Sequence, residues 1–124
     1  MSFDLGIWYS EKASTPKQAG EVYAKLCEGT GQLEGESPQI AAFYDELTKK
    51  WPEIDTVPDE KIDDHDYCPW SCAIARSGMH VILSCVWSKA RDVGEFVQKL
   101  AAKHGLLLYD PQENLVRLPP RLSR

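Results

Sequence analysis

The chain has 124 residues and a mass of 14.0 kDa, is 43% hydrophobic and 27% charged, and carries a net charge of −5. These values fit one globular domain over residues 1–124 and exclude a disordered chain, a collagen-like repeat and a simple coiled coil. No apolar run approaches the roughly 20 residues that cross a bilayer. The opening MSFDLGIWYS lacks the basic start and apolar stretch of a secretory signal, so a cytoplasmic location with no membrane partner is expected.

Phe3 to Tyr9 alternates, with Phe3, Leu5, Ile7 and Tyr9 on one face and Asp4, Gly6 and Trp8 on the other, which predicts a strand. Thr15-Pro16-Lys17-Gln18 then reads as an N-cap, a first-turn proline and a capping-box glutamine. Ala19, Val22, Tyr23, Leu26 and Cys27 follow at helical spacing, Gly29 is placed to stop the helix, and a flexible connection runs to Glu36. Ser37-Pro38 repeats the start signal for a second helix with Ile40, Phe43, Tyr44, Leu47 and Trp51 on its apolar stripe, ended by Pro52. An irregular acidic loop, 52–67, comes next. Cys72 to Arg76 and His80 to Trp87 predict a β-hairpin turning at Ser77-Gly78, and the second strand, apolar on both faces, is expected to be central.

Ser88 is positioned to cap a third helix with the stripe Val93, Phe96, Val97, Leu100 and Ala101, which Gly105 ends. Two short strands, Leu106 to Tyr109 and Leu115 to Leu118, flank a turn, and a loose basic tail occupies 119–124. The order of elements predicts an α+β domain: a ferredoxin-like split β-α-β sandwich with an inserted helix and an extra C-terminal edge strand. Helices on one sheet face would leave the other open beneath Trp8. Large apolar patches are rare on monomers, so a homodimer through that open sheet face is the corresponding expectation.

The charge is concentrated. Residues 52–67 hold seven acids against one base, so this segment carries −6 while the other 108 residues sum to +1. Such a field repels nucleic acid and attracts basic surfaces. Trp51 and Trp70 bracket the run and Tyr67 lies near its end, an arrangement of aromatic anchors beside charge that marks binding hot spots. The candidate partner-binding residues are therefore Asp55, Asp59, Glu60, Asp63, Asp64, Asp66, Tyr67 and Trp70.

No catalytic constellation emerges. His65, Cys68, Cys72 and His80 offer zinc-ligating chemistry, but His-x2-Cys-x3-Cys lacks the paired Cys-x2-Cys knuckle, and the EF-hand spacing is absent. Cys68 as a nucleophile would sit among carboxylates, which oppose thiolate formation. Phosphate-loop signatures are missing, and no metal or cofactor is expected. Four cysteines without an export signal predict reduced thiols, with Cys27 and Cys85 as small apolar fillers.

Several short motifs together resemble a family of small uncharacterised bacterial proteins: the opening Ser2-Phe3-Asp4-Leu5 with Trp8, the central Trp51-Pro52-Glu53, Pro69-Trp70 before the hairpin, and His104-Gly105-Leu106 followed by Asp110-Pro111-Gln112. The resemblance spans nearly the whole chain, and departs from the family where Cys68 stands in place of Ser before Pro-Trp. In size and charge the chain is also similar to immunity proteins, which bind one cognate toxin domain and block its active site. The resemblance implies a non-enzymatic inhibitor whose partner is a cognate toxin domain with a basic surface. Two rivals are a small cysteine/histidine metal protein or enzyme, and a ferredoxin-like dimer that binds a small ligand.

Overall fold

The alternating N-terminal segment forms β1 (Ser2–Trp8), and its two faces enter two different cores. A computed structural model describes residues 2–29 and 35–122 of the chain. The fold is α+β. After β1 come α1 (Pro16–Glu28), α2 (Pro38–Lys50), β2 (Ala75–Arg76), β3 (His80–Val86), α3 (Ala90–Lys103), β4 (Leu107–Asp110) and β5 (Leu115–Arg117). The strands form one antiparallel sheet in the order β2-β3-β1-β4-β5. Among the described residues, no helix is long and apolar enough to cross a membrane.

Helix boundaries follow the capping chemistry closely. Gln18 N–H donates to Thr15 Oγ1 at 3.2 Å while Thr15 N–H donates to Gln18 Oε1 at 3.0 Å, closing the reciprocal box that starts α1. Ser37 Oγ caps α2 by accepting from Ile40 N–H at 3.3 Å. At the end of α3, Gly105 takes φ 69°, which lets Leu106 N–H reach back to the Ala101 carbonyl at 2.8 Å. The expected Ser88 cap does not form. A single 3₁₀ turn, Trp87–Lys89, leads into α3 instead, and no side chain caps the helix. The connection expected from Gly29 to Glu36 lies mostly outside the described residues.

Leu5 and Ile7 of β1 join Val81, Leu83 and Cys85 of β3 and Leu108 of β4 on one sheet face. Over them pack Ile40, Phe43 and Leu47 of α2, and Val93, Val97 and Leu100 of α3. The opposite face is not open. Trp8, Leu107 and Tyr109 there meet Ala19 and Leu26 of α1, with Val22, Tyr23 and Val116 closing the margins. The expected exposed patch around Trp8 is therefore buried beneath α1, because the stripe of α1 has no room on the face that α2 and α3 already fill. The surface invoked for a homodimer, or for a small ligand, is thus occupied by the chain's own helix.

β3 is an interior strand, as expected, paired on one side with β2 and on the other with β1, the middle strand of the five; β2, however, shrinks to two residues. The hairpin segment leaves the regular ladder where the Ser84 carbonyl of β3 accepts from Ser71 N–H at 2.9 Å, while Ile74 turns into the core and its N–H, on the side away from β3, donates to Glu53 Oε1 at 3.2 Å. The tail is held as far as Leu122: the Arg121 guanidinium donates to the Ser10 carbonyl at 2.6 Å and the Gly105 carbonyl at 3.0 Å, and covers the Tyr9 ring. At the other end of β1, the Gln112 side-chain amide extends the ladder by one residue. It accepts from Asp4 N–H and donates to the Asp4 carbonyl, both at 2.8 Å.

Gly6 is where α1 seats on the sheet. A Cβ there would stand 2.7 Å from Cδ1 of Tyr23 and 3.1 Å from Cζ3 of Trp8, both ring atoms packed in the second core. Gly6→Ala should therefore destabilise the fold by about 1–3 kcal/mol in urea unfolding. A variant as stable as the parent would show that α1 does not press on β1 at this point.

Candidate functional site

The acidic segment begins where α2 stops and is closed by three consecutive residues. The Trp51 carbonyl accepts from Trp70 Nε1–H at 3.3 Å, and the Pro52 carbonyl accepts from the Cys68 thiol at 3.5 Å. Glu53 binds two groups at once: its Oε1 accepts from Ile74 N–H, and its Oε2 accepts from the Tyr44 hydroxyl at 2.6 Å. Burial, and then this bond to Glu53, raises the Tyr44 hydroxyl above the usual tyrosine range. The Trp51 and Trp70 rings meet edge to face at 5.9 Å, and the exit strand is pinned to β3 by Val86 N–H donating to the Pro69 carbonyl at 2.8 Å. Trp-Pro-Glu and Pro-Trp are thus two halves of one clamp.

Between those halves the chain rolls through two 3₁₀ turns, Ile54–Thr56 and Asp59–Lys61. The carboxylates divide into two groups. Glu53 is used by the clamp. Asp64 Oδ1 accepts from the backbone N–H groups of Asp66 and Tyr67 at 3.1 and 3.3 Å, shaping the next turn. Asp66 is ion-paired with Lys89 at the mouth of α3, and the Lys89 hydrogen bond holds its carboxyl below the usual aspartate range. Asp55, Asp59, Glu60 and Asp63 are exposed, and no hydrogen bond or ion pair reaches their carboxylates among the described residues. These four are the carboxylates of the segment that no described side chain or backbone group engages.

The aromatic half of the expectation needs correction. Trp70 is only 2% exposed and Trp51 is buried beside it, so both form the floor of the segment rather than its contact surface. Apolar groups that do face outward are Ile62, 41% exposed, Tyr67, 40%, and Trp87, 51%. The Lys61 ammonium stands 5.7 Å from the Tyr67 ring. Sequence reading missed Trp87 because it fell in register with the inward residues Val81, Leu83 and Cys85. The strand ends one residue earlier, and the 3₁₀ turn that follows rotates the indole outward against Phe3.

The chain matches no protein-family model, no curated protein and no solved structure.

The His65, Cys68 and Cys72 set of the rival reading does not assemble. His65 and Cys72 are exposed, whereas Cys68 points inward to the Pro52 carbonyl, and among the described residues no three His, Cys, Asp or Glu side chains converge as metal ligands. Burial raises the Cys68 thiol and pushes that of Cys85 up to about 12. Both thiols are therefore inert in the folded protein near neutral pH. Cys27, expected as an apolar filler, is instead exposed.

Two outcomes follow. Glu53→Ala leaves the Ile74 N–H and the Tyr44 hydroxyl without their acceptor and should cost about 1–3 kcal/mol in urea unfolding, while Glu53→Gln, which keeps an acceptor, should cost less. Equal losses would show that charge, not acceptance, is what the clamp requires. Thiol titration should find two reactive cysteines in the native protein, Cys27 and Cys72, and four after unfolding. The raised thiols also set a pH dependence. The folded state keeps protons that an unfolded thiol begins to lose near pH ~8.5. Their contribution is complete below that pH and declines above it, so the urea midpoint should fall as the pH is raised past about 8.5. Cys85→Ala should flatten that fall.

Proposed function

We propose that this chain is a protein-binding module: an immunity protein that neutralises a cognate bacterial toxin by occluding its active site, and not an enzyme. The observation that supports this reading most is the set of four unpaired carboxylates, Asp55, Asp59, Glu60 and Asp63, displayed on a segment whose two ends are clamped to the core. A clamped segment loses little conformational freedom on docking, and unpaired charges keep their field for a basic partner. Tyr67 and Ile62 supply apolar contact within the same segment, while Asp64, Asp66 and Trp70 hold its shape. An inhibitor of a lethal enzyme benefits from fast capture, and charge steering lifts association to about 10⁸ M⁻¹s⁻¹ or more.

The scaffold is read here as a ferredoxin-like split β-α-β arrangement in which α1 is the inserted helix and β5 the extra edge strand. Setting those two aside leaves the strand order β2-β3-β1-β4 with one helix in each crossover, which supports that reading. Four free cysteines favour a reducing, cytoplasmic setting.

The test pairs the chain with the product of the adjacent reading frame. Co-expression should restore viability to cells that the neighbour kills. Neutralising Asp55, Asp59, Glu60 and Asp63 together to their amides should slow association about tenfold or more at low ionic strength and flatten its salt dependence. Association at the parental rate would remove the acidic surface from the interface, and failure to protect would end the immunity reading.

A further inference from the structure

A cleft of about 430 Å³ opens between the end of α2, the His65–Pro69 stretch and the first half of α3. Its floor is aromatic: the Trp51 and Phe96 rings meet edge to face with centroids 5.2 Å apart. The Lys50 ammonium stands over both, 5.1 Å from the Trp51 centroid and 5.0 Å from that of Phe96. Asp66, Asp92 and Glu95 line the same cleft, and the C-terminal end of α2, which carries the partial negative charge of the helix dipole, borders it. His65, Lys89 and Lys99 are there too; Lys89 and Asp66 neutralise each other, so Asp92 and Glu95 are the carboxylates that remain in the cleft, set against Lys50 and Lys99. Two ring faces within about 6 Å of one ammonium, with carboxylates around them, constitute cation-recognition chemistry.

The cation now in place is weakly held. Lys50 is the last residue of α2, is exposed, and sits on a flexible four-carbon stem. A guanidinium is planar and less strongly hydrated than an ammonium, so it stacks on such rings at lower desolvation cost. The cleft is also continuous with the acidic segment, because Asp66 belongs to both.

We propose that this cleft receives an arginine side chain of the basic partner, and that Lys50 is a placeholder which the incoming guanidinium displaces from Trp51 and Phe96. The inference rests on the reading of the chain as a binder of a basic protein, which supplies the arginine. The four free carboxylates steer the partner in, and the cleft anchors one of its side chains.

The test is an NMR titration with Nα-acetyl-arginine amide, followed at the Trp51 indole N–H and the Phe96 ring, with the citrulline derivative as an uncharged control of the same shape. Lys50→Ala empties the site and should bind the arginine derivative about three- to tenfold more tightly than the parent. Phe96→Leu added to Lys50→Ala should remove that gain, and the citrulline derivative should bind neither protein comparably. Lys50→Gln is the second variant, and a dispersed spectrum verifies the fold of each. Equal affinity of the parent and both Lys50 variants for the arginine derivative overturns the proposal, as does equal binding of the citrulline derivative. No toxin enters this titration, so its failure leaves the acidic-surface reading standing. Unchanged toxin association after neutralising the four carboxylates would remove that reading while the titration still reported on the cleft.

Discussion

Everything that makes the acidic segment a surface rather than a floppy loop depends on the backbone and side-chain acceptors of Trp51, Pro52 and Glu53. Each of these three residues takes a proton donor from the returning chain: Trp70, Cys68 and Ile74 respectively. The donors are buried, so the bonds form where water competes poorly, and losing any one acceptor would leave a polar group unsatisfied. The clamp also secures the edge of the short hairpin: Ile74 N–H faces away from β3 and is taken up by Glu53, next to the two residues, Ala75 and Arg76, that make up β2.

The second organising constraint is the double-sided use of β1. Alternation sends Leu5 and Ile7 toward α2 and α3, and Trp8 toward α1, so a single strand connects two cores. Gly6 permits this, because the Tyr23 ring crosses the sheet where any side chain on β1 would stand. The two termini are secured from outside the sheet, one by Gln112 completing the ladder at Asp4, the other by Arg121 bridging Ser10 and Gly105. Asp-Pro-Gln and His-Gly-Leu, like Trp-Pro-Glu, thereby acquire structural roles.

How much of this was legible in the sequence depended on the range of the interaction. Local signals read correctly: the Thr15 to Gln18 box, the Ser37 cap, the stop at Gly105 and the alternation of β1 all act within a few residues. The side of the sheet that α1 covers was not legible, since amphipathic periodicity shows that a helix has an apolar face but not which surface receives it. The acidic segment was visible as charge, yet its division into structural and free carboxylates was not. For Glu53 and Asp66 that division arises from contacts with Tyr44, Ile74 and Lys89, which lie elsewhere in the sequence. Trp70 and Trp87 exchanged roles for the same reason. Trp70 follows the acids but folds inward through the Trp51 carbonyl, whereas Trp87 continues an inward register that the backbone abandons one residue too soon.

The separation of charges has a consequence for the geometry of the acidic surface. Had all seven carboxylates been free, their mutual repulsion would have spread the segment and left its geometry to chance. Using Glu53, Asp64 and Asp66 as acceptors converts three of them into supports and keeps the remaining four at spacings set by two 3₁₀ turns. Asp66 does this by binding Lys89 at the start of α3, so the end of the acidic segment is tied to the wall of the cleft that holds Lys50 over its aromatic floor. Long-range attraction and a short-range cation site thus stand side by side on one rigid edge. In the proposed reading, the first would set how quickly a basic partner arrives and the second which of its side chains is held.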